Sequence, residues 1–278
     1  MKKLFFIGFI FSCLHCLAQS EEDTVLDSVL DEIFQIDSMM VDPSHTHYLY
    51  TTFSFDESVF FAGRDFDIDQ FGFTPSISYM KGENFFVSLG SAYFSELDPK
   101  WDFISISSGY SLFLDRMKKF SMTGIYSRLF FSSDVEELNS NRLSASMSFR
   151  KNRLLIRLSV GYLFGGSTSF YTATSGGYEF PIIDNSKGQV VFHPQLNFLM
   201  SEQTVSEQIT SGLLNNQTIQ TDVFDLINTK LSLPIQCDLG QWDFELSYNI
   251  NFPKALSSEN DLNTNGYFAV SIGYFSAL

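Results

Sequence analysis

A sustained alternation of apolar and polar residues between Asn141 and Phe164, with a lapse at Leu155, constrains the fold of this chain more than any other feature. Two stretches of about ten residues keep the alternation, and the link between them is too short for anything but a hairpin. The apolar set is Leu143, Ala145, Met147 and Phe149 on the first strand, and Leu154, Ile156, Leu158, Val160, Tyr162 and Phe164 on the second. Strands of soluble sheets average about five to six residues, whereas a tilted strand needs about ten to cross a bilayer.

The beginning of the chain has the order of a secretory signal peptide. Lys2 and Lys3 precede an apolar run over residues 4–17, and small and polar residues follow from Ala18. The run is too short for a comfortable membrane helix, and small residues stand where signal peptidase cleaves. We predict that residues 1–18 form a cleaved signal peptide.

The charge balance limits the kinds of partner. The chain has 32 acidic and 17 basic residues, a formal net charge of −15 that becomes −17 when Lys2 and Lys3 leave. Such a surface repels nucleic acid and favours cations as small partners. Only Cys237 follows the predicted signal peptide, so the mature chain cannot form an internal disulfide. No later stretch reaches about 18 consecutive apolar residues, so a membrane-embedded mature chain has to be a barrel.

Residues 19–46 are expected to form a periplasmic helix and a linker. Apolar residues between Ser20 and Met40 recur at helical spacing, and acidic residues cover the opposite face. Two interpretations stay open: the helix packs on the mouth of the barrel, or it docks a periplasmic or outer-membrane protein partner. The face that would dock a partner consists of Val25, Leu26, Leu30 and Phe34.

From residue 47 to residue 278 the chain falls into alternating segments that predict one closed, antiparallel, all-β barrel. We place strands near 47–62, 71–80, 84–94, 101–114, 119–131, 141–150, 153–164, 168–180, 189–200, 227–239, 241–252 and 265–276. The count is about twelve, with ten or fourteen as alternatives. Bacterial outer-membrane barrels have even numbers of strands.

The connections between these strands alternate between short and long. Short turns on one side and long loops on the other are typical of an outer-membrane barrel with both termini in the periplasm. The short turns carry mostly basic residues, and the long loops, such as 63–70 and 201–226, carry acidic ones. We therefore expect an acidic outer mouth in contact with outer-membrane lipid and lipopolysaccharide.

The strand near 241–252 predicts which face meets lipid. Phe244, Leu246, Tyr248, Ile250 and Phe252 alternate with charged and amide residues that belong inside. A charge on the lipid face is costly, and an open sheet edge in lipid is costlier still. The first and last strands should therefore pair and close the barrel.

Four segments resemble uncharacterised outer-membrane β-barrel proteins of Gram-negative bacteria. They are Phe60–Asp65 with Asp67–Gln70, Ser95–Trp101, Asp225–Thr229 and Tyr248–Pro253. The resemblance spans essentially the whole mature chain. It implies a barrel and an outer-membrane location, and it brings no activity with it.

Five charged or titratable residues are expected to line the lumen: Arg142, Arg157, His193, Asp243 and Glu245. Basic and acidic groups on separate walls could orient a polar solute in a narrow channel, or they could meet as salt bridges across a filled core. Twelve strands leave a lumen between the filled eight-stranded barrel and the open porin. Two functions follow as hypotheses: a narrow, porin-like channel for small polar or cationic solutes, or a non-conducting accessory subunit of an outer-membrane assembly.

The sequence predicts no enzyme, no metal site and no cofactor. A lipid-hydrolysing barrel needs a serine and a histidine on the lipid-facing wall, and His193 is expected to point inward. The acidic alternation at residues 65–69 and the one that begins at Asp261 are similar to calcium loops, but each lacks a required residue. We interpret both as acidic loop tips.

Overall fold

The structure, a computed structural model, describes residues 47–60, 63–64, 69–132, 140–166, 168–210, 216–256 and 262–278. For 203–210 and 216–222 only the backbone is described. The predicted signal peptide and the predicted helix of residues 20–40 lie outside these ranges. No helix in the described ranges is long and apolar enough to cross a membrane.

Fourteen strands make up the described fold. They are β1 (His47–Asp56), β2 (Gly72–Lys81), β3 (Phe85–Phe94), β4 (Trp101–Phe113), β5 (Phe120–Phe131), β6 (Asn141–Lys151), β7 (Leu154–Phe164), β8 (Ser169–Tyr178), β9 (Phe180–Asn185), β10 (Gly188–Phe192), β11 (Gln195–Thr210), β12 (Asn216–Leu239), β13 (Trp242–Pro253) and β14 (Asn265–Ala277).

Twelve of these strands close into an antiparallel barrel. Strands β1 to β8 pair in sequence, β8 pairs with β11, and β11 to β14 follow in order. The ring closes where β1 pairs with β14, from Tyr48 opposite Ala277 to Asp56 opposite Ala269. The predicted closure and the predicted count of about twelve strands are confirmed.

The remaining two strands, β9 and β10, form a hairpin that extends β8 and β11. Gln195 lies opposite Gly177, and Phe192 lies opposite Phe180 in the same register. Pro194 separates β10 from β11, because proline has no N–H to donate to the ladder. Strand β12 pairs with both β10 and β11. The hairpin lies at the end of the barrel with the short turns. We call β9 and β10 the periplasmic hairpin, after the side of the membrane that the sequence predicts for these turns.

The predicted long loop at 201–226 is wrong. Strands β11 and β12 continue as a hairpin to Thr210 and from Asn216. Polar residues dominate this stretch, and its few apolar residues are interrupted by charged and amide ones, so it lacks the continuous apolar face by which the other strands were recognised. The predicted end of the first strand is also too late, since β1 stops at Asp56.

The outer face of the barrel is apolar, as the alternation predicts. In β13, Phe244, Leu246, Tyr248 and Phe252 are exposed, whereas the residues between them are buried or half-buried. Aromatic pairs lie at both ends of the barrel, Trp242 with Tyr274 at the turn end and Tyr93 with Trp101 at the loop end. Such an exposed apolar wall between aromatic girdles suits a lipid bilayer.

Two apolar clusters occupy part of the interior. The lower cluster, near the turn end, consists of Tyr48, Tyr50, Met80, Phe86 and Ile125, with Phe275 packed against it. The upper cluster, near the loop end, consists of Ala92, Phe94, Phe103 and Leu129, packed against Val59, Leu97 and Phe131. Large side chains on the walls of β1 to β5 therefore narrow the interior.

Gly109 makes room for one of these side chains. A Cβ at this position would overlap the ring of Phe86 in the lower cluster. Gly109→Ala should therefore lower the free energy of unfolding by about 1 to 3 kcal/mol, the usual cost of overpacking. Gly124→Ala is the matched control, because its Cβ would meet nothing within 4 Å, and its effect should stay within about 0.5 kcal/mol. Urea unfolding in detergent micelles measures the free energy of unfolding of both variants. An equal loss of stability in both variants would show that the ring of Phe86 does not need the space at Gly109.

Candidate functional site

The inner wall of β1 to β5 carries a ladder of hydroxyl groups between the two apolar clusters. Thr52 bonds to Ser76 (Oγ1···Oγ 2.6 Å), Ser78 to Ser88 (2.8 Å) and Ser107 to Ser127 (3.0 Å). Each pair joins neighbouring strands, so these buried hydroxyls satisfy one another. Between the two clusters, this wall of the interior carries hydroxyl groups and no charge.

Basic groups lie on the inner wall of β6 and β7. Arg142 is 1% exposed, and Arg157 Nε donates to Ser148 Oγ at 3.1 Å. Nearer the turn end, Arg150 Nη2 lies 4.0 Å from Glu179 Oε1. The inner wall of β6 and β7 is therefore basic. We call it the basic wall.

His193 stands next to the basic wall, between β10 and β11. It is 1% exposed, its backbone N–H donates to Pro234 O at 3.0 Å, and its Nδ1 lies 3.3 Å from Gln195 Nε2. Gly177 opposite provides the space for the ring, since a Cβ there would press on its Nε2. The imidazole is therefore held inside the barrel by strand packing.

Acidic groups lie on the inner wall of β12 and β13. Asp243 Oδ2 accepts a hydrogen bond from Tyr50 Oη at 2.9 Å, and Asp238 lies opposite Asp243 in the ladder of the two strands. Glu245 Oε2 accepts from Gln236 Nε2 at 3.1 Å. Strands β8 and β11 separate this acidic wall from the basic wall.

Lys230 adds a positive charge above the acidic wall. It interacts electrostatically with Glu245 and with Asp56 at the upper end of β1. The five residues predicted to line the lumen, Arg142, Arg157, His193, Asp243 and Glu245, all occupy inward positions of their segments. Sequence alternation finds these positions because a charged side chain that alternates with lipid-facing residues has to point inward.

The connection between β1 and β2 reaches across the loop end of the barrel. Val59 packs against the upper apolar cluster on the β3 to β5 side. Gly63 touches the side chain of Asn228 on β12, which lies on the opposite side of the ring. We call the described residues of this connection, 57–60, 63–64 and 69–71, the mouth segment.

A chain of amide side chains fastens the mouth segment to the far wall. Asn228 Nδ2 donates to Asn251 Oδ1 (3.0 Å), Asn251 Nδ2 to Asn265 Oδ1 (2.9 Å), and Asn265 Nδ2 to the carbonyl of Gly63 (2.8 Å). We call these three asparagines the amide chain. Sequence reasoning missed it, because no local pattern shows which loop folds inward.

Charged residues outside the lumen also support the contact between the mouth segment and the far wall. Lys254 Nζ lies 2.7 Å from both carboxylate oxygens of Asp225, and Arg64 Nη2 donates to Lys254 O at 3.5 Å. Both groups of the ion pair are partly exposed, so water and salt screen their attraction and the pair adds little stability. Among the described residues, no group of three or more His, Cys, Asp or Glu could hold a metal ion.

The fold and the inner wall define a class of protein: a β-barrel built to span a lipid bilayer, with a polar interior narrowed from one side and at one mouth. No family model matches the chain, and no curated protein does.

Solved structures similar to this chain include two porins and an outer membrane channel. The NanC porin is 11% identical over 81% of this chain and 98% of its own, with a TM-score of 0.47. The KdgM porin in complex with disordered oligogalacturonate is 9% identical over 82% and 98%, with a TM-score of 0.46. An outer membrane channel from Pseudomonas putida F1 is 9% identical over 84% and 96%, with a TM-score of 0.45. At these TM-scores and identities the likeness assigns neither a role nor a solute to this chain.

Proposed function

We propose that this protein is a narrow channel of the bacterial outer membrane for small polar or cationic solutes. The observation that supports the proposal most is the separation of charge inside the barrel: Arg142 and Arg157 on one wall, Asp243 and Glu245 on another. Strands β8 and β11 lie between the two walls in the ring, so the basic and acidic groups face the interior from different sides. A solute that passes between the two walls would experience an electric field directed from the basic wall to the acidic wall, across the axis of the barrel.

The location follows from the chain as a whole. An apolar outer wall needs lipid, and closed barrels with short turns at the end of the termini are typical of the outer membrane. The predicted signal peptide of residues 1–18 would deliver the chain to that compartment. Leu278 N donates to His47 O at 3.0 Å, so both ends of the barrel domain lie together at the turn end.

The size of the path supports small solutes. The lower apolar cluster fills the β1 to β5 side of the interior, and the mouth segment crosses the loop end. A route through the barrel would have to pass the charged half, where the acidic wall and the acidic loops favour cations at the entrance. A small polar molecule or a cation fits this route better than a polymer or a polyanion.

Ion preference tests the proposal. Arg157→Gln should shift the permeability ratio toward cations and Glu245→Gln toward anions, each by about two- to tenfold, because a lumen charge acts within the Debye length of about 8 Å. Reversal potentials under a salt gradient in planar bilayers measure the ratio.

The control for both variants is Lys118→Gln, which removes a charge that pairs with Glu83 at the exposed turns. That change should leave the permeability ratio as it is. If neither lumen variant altered the ratio, the charged walls would not line the route of the ions.

A further inference from the structure

The periplasmic hairpin leaves one strand edge without a neighbour among the described residues. Strand β7, the neighbour of β8, begins at Leu154, which lies opposite Tyr178. The hydrogen bond from Glu179 N to Arg153 O (2.9 Å) lies one residue beyond this pair, between the end of β8 and the start of β9. Strand β9 then pairs with β10 alone. Because an open edge in hydrocarbon is too costly, this edge has to stand in the aqueous periplasm.

The side chains on this edge strand are nevertheless apolar. Phe180, Ile182 and Ile183 are 47%, 60% and 48% exposed. Phe180 packs on Tyr178 and Phe192, with ring centroids 4.9 and 6.2 Å away, but its outer side is open. Contiguous apolar surface that projects from the membrane into water indicates a docking surface.

Basic residues surround this surface. Lys151 and Arg153 on the neighbouring turn and Lys187 at the tip of the hairpin are exposed. The acidic groups nearby are Asp184, which is exposed, and Glu179, which already approaches Arg150. The surface therefore suits a segment whose apolar face is bordered by acidic residues.

The chain itself contains such a segment at the same end of the barrel. The residues before β1 enter at His47, which is bonded to Leu278 at the turn end. Residues 20–40 hold seven acidic residues and no basic one, and their apolar residues follow helical spacing. The linker at 41–46 can extend about 20 Å, and a helix of 21 residues adds about 30 Å, so the segment can reach across the end of the barrel.

A second copy of the chain does not fit the free edge. Two barrels in one membrane are related by a two-fold axis along the membrane normal. Strands tilted by about 35 to 45° would then cross at roughly 70 to 90°, which prevents the two β9 edges from pairing.

We propose that residues 20–40 pack their apolar face, Val25, Leu26, Leu30 and Phe34, on the periplasmic hairpin of the same chain. The acidic face then lies toward Lys151, Arg153 and Lys187. The contact covers Phe180, Ile182 and Ile183 and holds the segment against the periplasmic end of the barrel. It does not depend on whether the lumen conducts.

Cysteine cross-linking of the full mature chain tests the contact. In a Cys237→Ser background, Leu30→Cys is combined with Ile182→Cys and treated with a bis-maleimide that spans about 10 Å, a distance typical of packed elements. The expected product is a cross-link within one chain. The control pairs Leu30→Cys with Met117→Cys, a position on another turn at the same end that is at least as accessible as Ile182. Equal yields at both positions, or cross-links only between chains, would overturn the proposal.

Accessibility gives a second readout that needs no cross-link. Deleting residues 20–40 should raise the labelling rate of Ile182→Cys by a water-soluble maleimide at least about fivefold and leave Met117→Cys unchanged, because only the hairpin loses its cover. Heat-modifiable gel mobility confirms that the shortened chain is folded. If the rate at Ile182→Cys stayed the same, lipid or another protein would be covering the hairpin instead.

Discussion

Gly63→Ala should raise the single-channel conductance by about two- to fivefold, because it displaces the mouth segment from the loop end of the barrel. Gly63 has φ +78°, a conformation that costs a residue with a Cβ about 1 kcal/mol or more. The new methyl group would also overlap the amide of Asn228, which cannot turn away without leaving Asn251. Release of the segment removes both costs and widens the outer mouth. Conductance in planar bilayers measures the change.

Gly82→Ala is the matched control for this variant. Gly82 has φ +61° at a short turn, and its Cβ would meet nothing within 4 Å. Gly82→Ala introduces the same kind of backbone strain as Gly63→Ala but no clash with a neighbouring side chain. The variant should therefore lose some stability and keep the conductance of the parent. Asn265→Ala, which removes the donor to Gly63 O, should act like Gly63→Ala with a smaller effect. Unchanged conductance in both Gly63→Ala and Asn265→Ala would show that the mouth segment does not limit the path.

Leu246→Arg should have the largest effect on folding. Leu246 lies near the middle of β13, points outward and is 50% exposed. A cation at the centre of the bilayer costs a barrel about 2 to 4 kcal/mol, and near the interface about 0 to 1 kcal/mol. The folded fraction in phospholipid vesicles, followed by gel mobility across a urea series, measures the loss.

Leu239→Arg is the control, which distinguishes the cost of placing a charge in lipid from the cost of placing a charge anywhere on the outer face. Leu239 is outward and 48% exposed like Leu246, but it ends β12 at the turn end, beside Trp242. Its substitution should cost much less than that of Leu246. Equal costs at the two positions would contradict the assignment of this face to the bilayer.

The sequence predicts the barrel well because the bilayer imposes a strong pattern. Lipid on one side and a polar interior on the other force an alternation, so the predicted strands near 71–80, 141–150 and 241–252 lie within a residue or two of β2, β6 and β13. The pattern fails beyond the bilayer, where both faces meet water. The hairpin of β11 and β12 continues there and was predicted as a loop.

The interior is predicted only in part. Inward charges such as Arg157 and Glu245 can be read from one strand at a time. The fit of Phe86 into the space left by Gly109 depends on the register of two strands, and the bond from Asn265 to Gly63 joins residues about two hundred positions apart. Contacts of this kind have no local signal.

Single-channel recording of the refolded mature chain, residues 19–278, tests the central claim most directly. At two salt concentrations we expect discrete, reproducible conductance steps that scale with salt and are small, as a narrowed lumen requires. A silent bilayer, with folding confirmed by heat-modifiable mobility, would contradict the channel and favour a barrel that serves only as a structural subunit.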